Sequence, residues 1–105
     1  MAVVNWSAEA EQDLADIVAY YEDRSPAYAE ARVQQLFEAI SRLERFPKLG
    51  RQVPELQLEP FREVLVAGYR VVYLYTESAD GDDEVDLLVI AHSRQDLVKK
   101  LSRRE

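Results

Sequence analysis

The run Gly68-Tyr69-Arg70-Val71-Val72-Tyr73-Leu74-Tyr75 decides how the rest of the chain is read. Its β-branched and aromatic side chains suit a pleated, half-buried surface, so it predicts a strand. Phe61 to Val66 predicts a strand before it, joined through Ala67 and Gly68. Val85 to Ala91 predicts a third, whose nearly unbroken apolar character implies burial on both faces. Tyr69, Tyr73 and Tyr75 stand at even spacings and share one face, whereas Arg70 and Val72 share the other. The tyrosine stripe suits the floor beneath a pair of helices, with stacking on bases as its alternative use. Arg70 is the informative residue, because a guanidinium in a strand needs solvent or an anionic partner. Glu63 and Asp86 are candidates for a structural ion pair; an anion or partner contact is the functional alternative.

Working outward toward the N-terminus, Val3 and Val4 suit a very short strand at the edge of the sheet. Ser7 reads as a helix N-cap with Glu9 and Glu11 in the first turn, and Ala10, Leu14, Ile17, Val18 and Tyr21 form one apolar face. That helix is expected from about Ala8 to Asp23, with Trp6 sealing its start onto the sheet. Ser25 and Pro26 begin a second helix whose apolar face runs through Ala29, Val33, Leu36, Phe37, Ile40 and Leu43 to about Arg45. The short connection makes the two helices antiparallel neighbours. Pro47 stops the second helix, Gly50 is expected to supply a positive φ in the turn, and Arg51 to Pro60 is expected to be a connector. Toward the C-terminus, Asp80, Gly81, Asp82 and Asp83 predict a solvated hairpin tip, lacking the alternating ligands and distal Glu of a calcium loop. Ser93 is expected to cap a short helix with Leu97, Val98 and Leu101 on one side and Lys99, Lys100, Arg103 and Arg104 on the other.

At 105 residues, 48% of them hydrophobic, the chain predicts one domain over residues 1–105. Without cysteine there is no disulfide framework, thiolate nucleophile or Cys-based zinc site, and the lone His92 excludes a His-rich metal site. No signal peptide or membrane span is read, so a soluble cytoplasmic protein without membrane contact is expected. Thirteen basic against twenty acidic side chains give a net charge of −7, which argues against binding DNA directly and alone. Acid is concentrated in the first quarter and base near the end, a polarity that points to a protein partner.

Taken in order, Trp6, Ser7, Ala10, Asp13, Leu14, Ile17 and Tyr20 or Tyr21, then Phe46, Pro47, Gly50 and Arg51, then Arg62, Tyr69, Arg70 and Tyr73, and last His92 and Arg94 form a set. It resembles the RelE/ParE family of bacterial toxins from type II toxin–antitoxin systems, over Trp6 to Arg94. The resemblance implies an α+β fold in which an N-terminal helical hairpin packs on a small antiparallel β-sheet, followed by a short C-terminal helix or tail, with no cofactor. The Trp6 to Tyr21 segment and the Gly50-Arg51 turn are similar to ParE-like members, which inhibit DNA gyrase and are not enzymes. On this reading a cognate ParD-like antitoxin neutralises the protein, and Arg51, Arg62, Arg70, Arg94, Lys99 and Lys100 are the candidates for contacting target or antitoxin. The alternative is a RelE-like, ribosome-dependent messenger RNA endoribonuclease without metal. There Arg70 and Arg94 would stabilise the phosphate and His92 would shuttle a proton. Against it stand the absence of lysine between Arg51 and Val98 and of tyrosine after Tyr75. A family member that only binds its antitoxin is the third reading.

Overall fold

Two serines start the long helices as their sequence context predicts. Ser7 is extended and its Oγ accepts the Ala10 N–H at 2.9 Å, opening α1 (Ala8–Glu22). Ser25 accepts the Tyr28 N–H at 3.4 Å, and Pro26 opens α2 (Pro26–Arg45). The computed structural model describes residues 1–102. The two helices pack on each other and on a single sheet of β1 (Val3–Trp6), β2 (Arg51–Gln52), β3 (Phe61–Val66), β4 (Tyr69–Thr76) and β5 (Glu84–His92), with α3 (Leu97–Ser102) after the last strand.

The strand order is β1-β5-β4-β3-β2. β3, β4 and β5 form antiparallel neighbours close to the expected limits. The sheet as a whole is mixed, contrary to the antiparallel expectation, because β1 runs parallel to β5 from Val3 opposite Glu84 to Trp6 opposite Leu87. Parallel neighbours need a long crossover, and the helices and intervening strands provide one. Arg51 and Gln52, expected in a connector, pair with Glu63 and Arg62 as β2. Two polar residues carry no strand pattern.

Each face of the sheet has its own core. On the helix side, Tyr69, Val71 and Tyr73 lie beneath Ile17, Leu36, Ile40 and Leu43, so the tyrosine stripe is the helices' floor. On the far side, Val72, Val89 and Ala91 are covered by Val53 from the 53–60 connector and Leu97 from α3. A β-bulge joins these patterns: Val72 pairs with Val89 and Tyr73 with Leu87, leaving Leu88 as the extra residue. Leu88 and Val89 both pack on the far side, after which Ile90 returns to the helix side. The alternation of β5 is thereby reversed, and His92 pairs with Tyr69.

At this bulge α1 takes over from β1. The Ser7 N–H donates to the Leu87 carbonyl at 3.1 Å and its hydroxyl to the Leu88 carbonyl at 2.8 Å. The Ile90 N–H donates to buried Asp13 at 2.8 Å. These bonds satisfy backbone groups that the short β1 leaves behind.

Three local expectations are corrected. Gly50 is needed for space and not for a positive φ: a Cβ there would lie 2.6 Å from the Tyr73 hydroxyl and 2.7 Å from the Glu63 carbonyl. The Gly50 N–H donates to that hydroxyl at 2.9 Å, which donates to the Pro47 carbonyl at 2.7 Å. Ser93 does not cap α3; the Asp96 side chain does, accepting the Lys99 N–H at 3.1 Å. Asp86, an expected partner for Arg70, instead accepts from Asn5 at 2.8 Å. Arg103 and Arg104 of the basic tail lie outside the described residues.

Candidate partner-binding surface

The strand arginine sits in a four-member ion network on the far face. Arg70 Nε donates to Glu63 at 2.7 Å, and its two terminal nitrogens donate to the two oxygens of Glu55 at 2.6 Å each. Arg51 Nε donates to the other oxygen of Glu63 at 2.8 Å. Glu63 is only 1% exposed and Arg70 7%, so this buried carboxylate is held between two guanidiniums. The bidentate hydrogen bonds from Arg70 hold the Glu55 carboxyl down at about 2, and the same bonds raise the Arg70 guanidinium. Arg70 therefore ties the 53–60 connector to the sheet. Its donors are directed at carboxylates.

Arg62 is half-buried and donates to the Gly50 carbonyl at 2.8 Å and the Lys48 carbonyl at 3.3 Å, bracing the turn. Lys100 donates to Asp13 at 2.8 Å, linking α3 to α1. Arg94 and Lys99 are exposed, and the Arg51 side chain is 56% exposed although it pairs with Glu63. His92 accepts the Arg94 N–H on Nδ1 at 3.2 Å and meets the Tyr69 ring edge-on at 5.6 Å. Arg70 lies on the opposite side of the sheet from the Tyr69 and His92 pair. Arg70 and His92, which a nuclease would use together with Arg94, are thus divided by the sheet.

Apolar surface is left open beside β3. β2 covers the outer edge of β3 only at Arg62 and Glu63, so Val64, Leu65 and Val66 have no strand neighbour on that side among the described residues. A cavity of about 470 Å³ runs along this edge between α2 and β3, with Ala39, Leu49 and Leu65 in its wall and Glu38, Arg42 and Arg51 at its rim. Leu65 is 57% exposed and Leu49 53%. An unpaired edge beside an apolar groove is a template for an extended segment of another chain.

Sequence reasoning missed Glu55 and this edge, and it placed Asp13 in the family pattern without its role as acceptor for the Ile90 amide and Lys100. A connector carboxylate has no periodicity to mark it, and the edge is defined by how little of β3 the two-residue β2 covers. Glu63 was accessible because it stands within strand reach of Arg70.

The family model described as ParE toxin of type II toxin-antitoxin system, parDE, matches residues 4–97. Among solved structures, one described as the chromosomal ParDE TA system from P. aeruginosa superposes with a TM-score of 0.69 at 20% identity, covering 88% of this chain and 96% of that one. At this identity the likeness is one of fold. No curated protein matches the sequence.

Proposed function

This chain belongs to the ParE toxin family of type II toxin–antitoxin systems, and from that premise we propose that it inhibits DNA gyrase in the cytoplasm and is neutralised by a cognate ParD-like antitoxin. The observation that carries the toxin reading is the family match across residues 4–97. The chain acts as one domain, its N-terminal helical hairpin laid over the sheet. Growth inhibition is the cellular outcome.

For the target, charge and geometry favour a protein over ribosomal RNA. A net charge of −7 opposes docking into a polyanion. Arg70 is spent on Glu55 and Glu63 and lies across the sheet from His92. A phosphate in transit would meet no assembled set of cation, base and acid. For the antitoxin, the open edge at Val64, Leu65 and Val66 suits an added strand, with alternate side chains entering the groove beside α2.

The decisive experiment measures gyrase supercoiling with and without the purified protein, beside a ribosome-programmed RNA cleavage reaction on the same preparation. Lost supercoiling with intact RNA is expected. Cut RNA with unaffected gyrase would overturn the proposal and return attention to Arg70, His92 and Arg94. A Leu65→Asp variant is expected to lose about tenfold or more in antitoxin affinity while still inhibiting supercoiling; unchanged affinity would remove the β3 edge from the interface.

A further inference from the structure

A second cavity, about 340 Å³, opens between α1 and the end of β5, lined by Asp16, Ile17, Tyr20, Tyr21, Tyr69 and His92. It shares no lining residue with the α2–β3 groove, although Tyr69 in its wall pairs with Val66 in the wall of that groove. Its walls are a set of interlocked rings. Tyr20 and Tyr21 meet edge-to-face at 5.1 Å, and Tyr69 and His92 do so at 5.6 Å. The Tyr69 hydroxyl donates to the Tyr21 hydroxyl at 3.4 Å. Burial pushes the Tyr69 phenol up, so it stays a neutral ring at ordinary pH.

Two features set the charge that such a cavity accepts. Among the described residues no lysine or arginine lines it, and Asp16 contributes an exposed carboxylate whose Oδ1 accepts from Gln12 at 2.9 Å. The surrounding cluster also already holds guanidiniums from this chain. Arg24 lies 3.6 Å over the Tyr20 ring and Arg32 4.5 Å over the Tyr28 ring, and Tyr28 in turn packs on Tyr21 at 5.6 Å. Each of those arginines is held on the residue whose ring it covers, Arg24 by the Tyr20 carbonyl at 2.7 Å and Arg32 by the Tyr28 hydroxyl at 2.6 Å. The electron-rich ring faces attract cations, and a planar guanidinium both stacks on a ring and bonds a carboxylate.

We propose that this cavity receives an arginine side chain from a partner protein, with Asp16 as its counter-ion and Tyr20, Tyr21 and Tyr69 as its aromatic wall. The site does not depend on whether gyrase is the target. A stacked nucleobase is the competing occupant, but its phosphate would meet the Asp16 carboxylate in the cavity wall.

The test is an NMR titration of the full chain with N-acetyl-arginine amide, its neutral citrulline counterpart and adenosine monophosphate. Saturable shifts at Tyr20, Tyr21, Tyr69 and His92, with a Kd on the order of 1 mM, are expected for the arginine compound alone. An Asp16→Asn variant, altered at an exposed position, is expected to bind it about three- to fivefold more weakly. Equal binding of the citrulline compound, preference for the nucleotide, shifts spread equally over the acidic tip at Asp80 to Asp83, no saturable shift, or unchanged affinity in Asp16→Asn would each overturn the proposal.

Discussion

The two faces of the sheet are covered in different ways. On one side, α1 and α2 lay long apolar stripes over Tyr69, Val71 and Tyr73. On the other, the irregular 53–60 connector and the six-residue α3 cover Val72, Leu88, Val89 and Ala91. Helices bring their own hydrogen bonds and many apolar contacts, so hydrophobic burial alone seats them. A connector with two prolines brings fewer of both, its own bonds being those of the Leu56 and Gln57 amides to the Val53 carbonyl. Here it is seated by Val53, which is fully buried, and by the ion network from Arg51 through Glu63 and Arg70 to Glu55. The lesson is that the strand arginine compensates for missing regular structure, and its charge serves the fold before any partner.

That contrast is broken most directly at Arg70. Arg70→Met keeps most of the side-chain volume but leaves Glu63 buried with Arg51 alone, and Arg51 is largely in solvent. Removing one partner of a buried pair is expected to cost about 3 kcal/mol, measured as a fall in the urea midpoint at constant m. Hydrogen exchange should accelerate first at Val53, Leu56 and Gln57, whose amides bond within the connector and to β3, while α1 and α2 keep their protection. Adding Glu63→Leu to the variant should recover much of the loss, because an apolar replacement for both partners leaves no uncompensated charge. Uniform loss of protection in both layers would mean that the faces are not separately held.

What could be read from the chain follows the same division. Both long helices were legible to within a residue or so, because Ser7, Ser25 and Pro26 mark their starts and the apolar spacing marks their buried faces. β3, β4 and β5 were legible from β-branched and aromatic runs. The bulge at Leu88 was not, since Leu87, Leu88, Val89 and Ile90 are all apolar and any register satisfies them. That one extra residue decides which face receives His92, so the aromatic cavity was hidden with it. On the candidate surface, the Arg70 to Glu63 pair was within reach of sequence reasoning. Glu55, reached through a loop, was not.

A smaller effect sharpens the comparison by pH. Hydrogen bonds from Arg70 hold the Glu55 carboxyl from its ordinary 4.5 down to about 2. Since the folded value lies below the unfolded one, the linked stability is present above about 4.5 and is lost as pH falls toward 2. The Glu55 side chain is 35% exposed, so solvent screening holds this contribution to about 1 kcal/mol. Wild type is therefore expected to lose about 1 kcal/mol more than Glu55→Gln between pH 5 and pH 2, by urea denaturation at each pH. Equal losses would show that the connector is held by Val53 and Glu63 without help from Glu55.

The smallest effect lies where both faces share a turn. Val66 and Tyr69 close the β3–β4 hairpin over Ala67 and Gly68, at φ of 54° and 83°. A two-residue hairpin with both central residues left-handed matches the right-handed twist of its strands, and it favours Asn-Gly. Gly68 meets that demand freely, whereas the Ala67 Cβ makes the same conformation costly. Ala67→Asn should therefore stabilise the fold by about 0.5–1 kcal/mol, read as a rise in thermal midpoint of a few degrees. Because the turn belongs to neither covering layer, the gain should persist undiminished in the Arg70→Met background, as independent sites add. A gain that vanished there would place the turn and the ion network in one cooperative unit, and the far face would then be held from its hairpin end as well as from its connector.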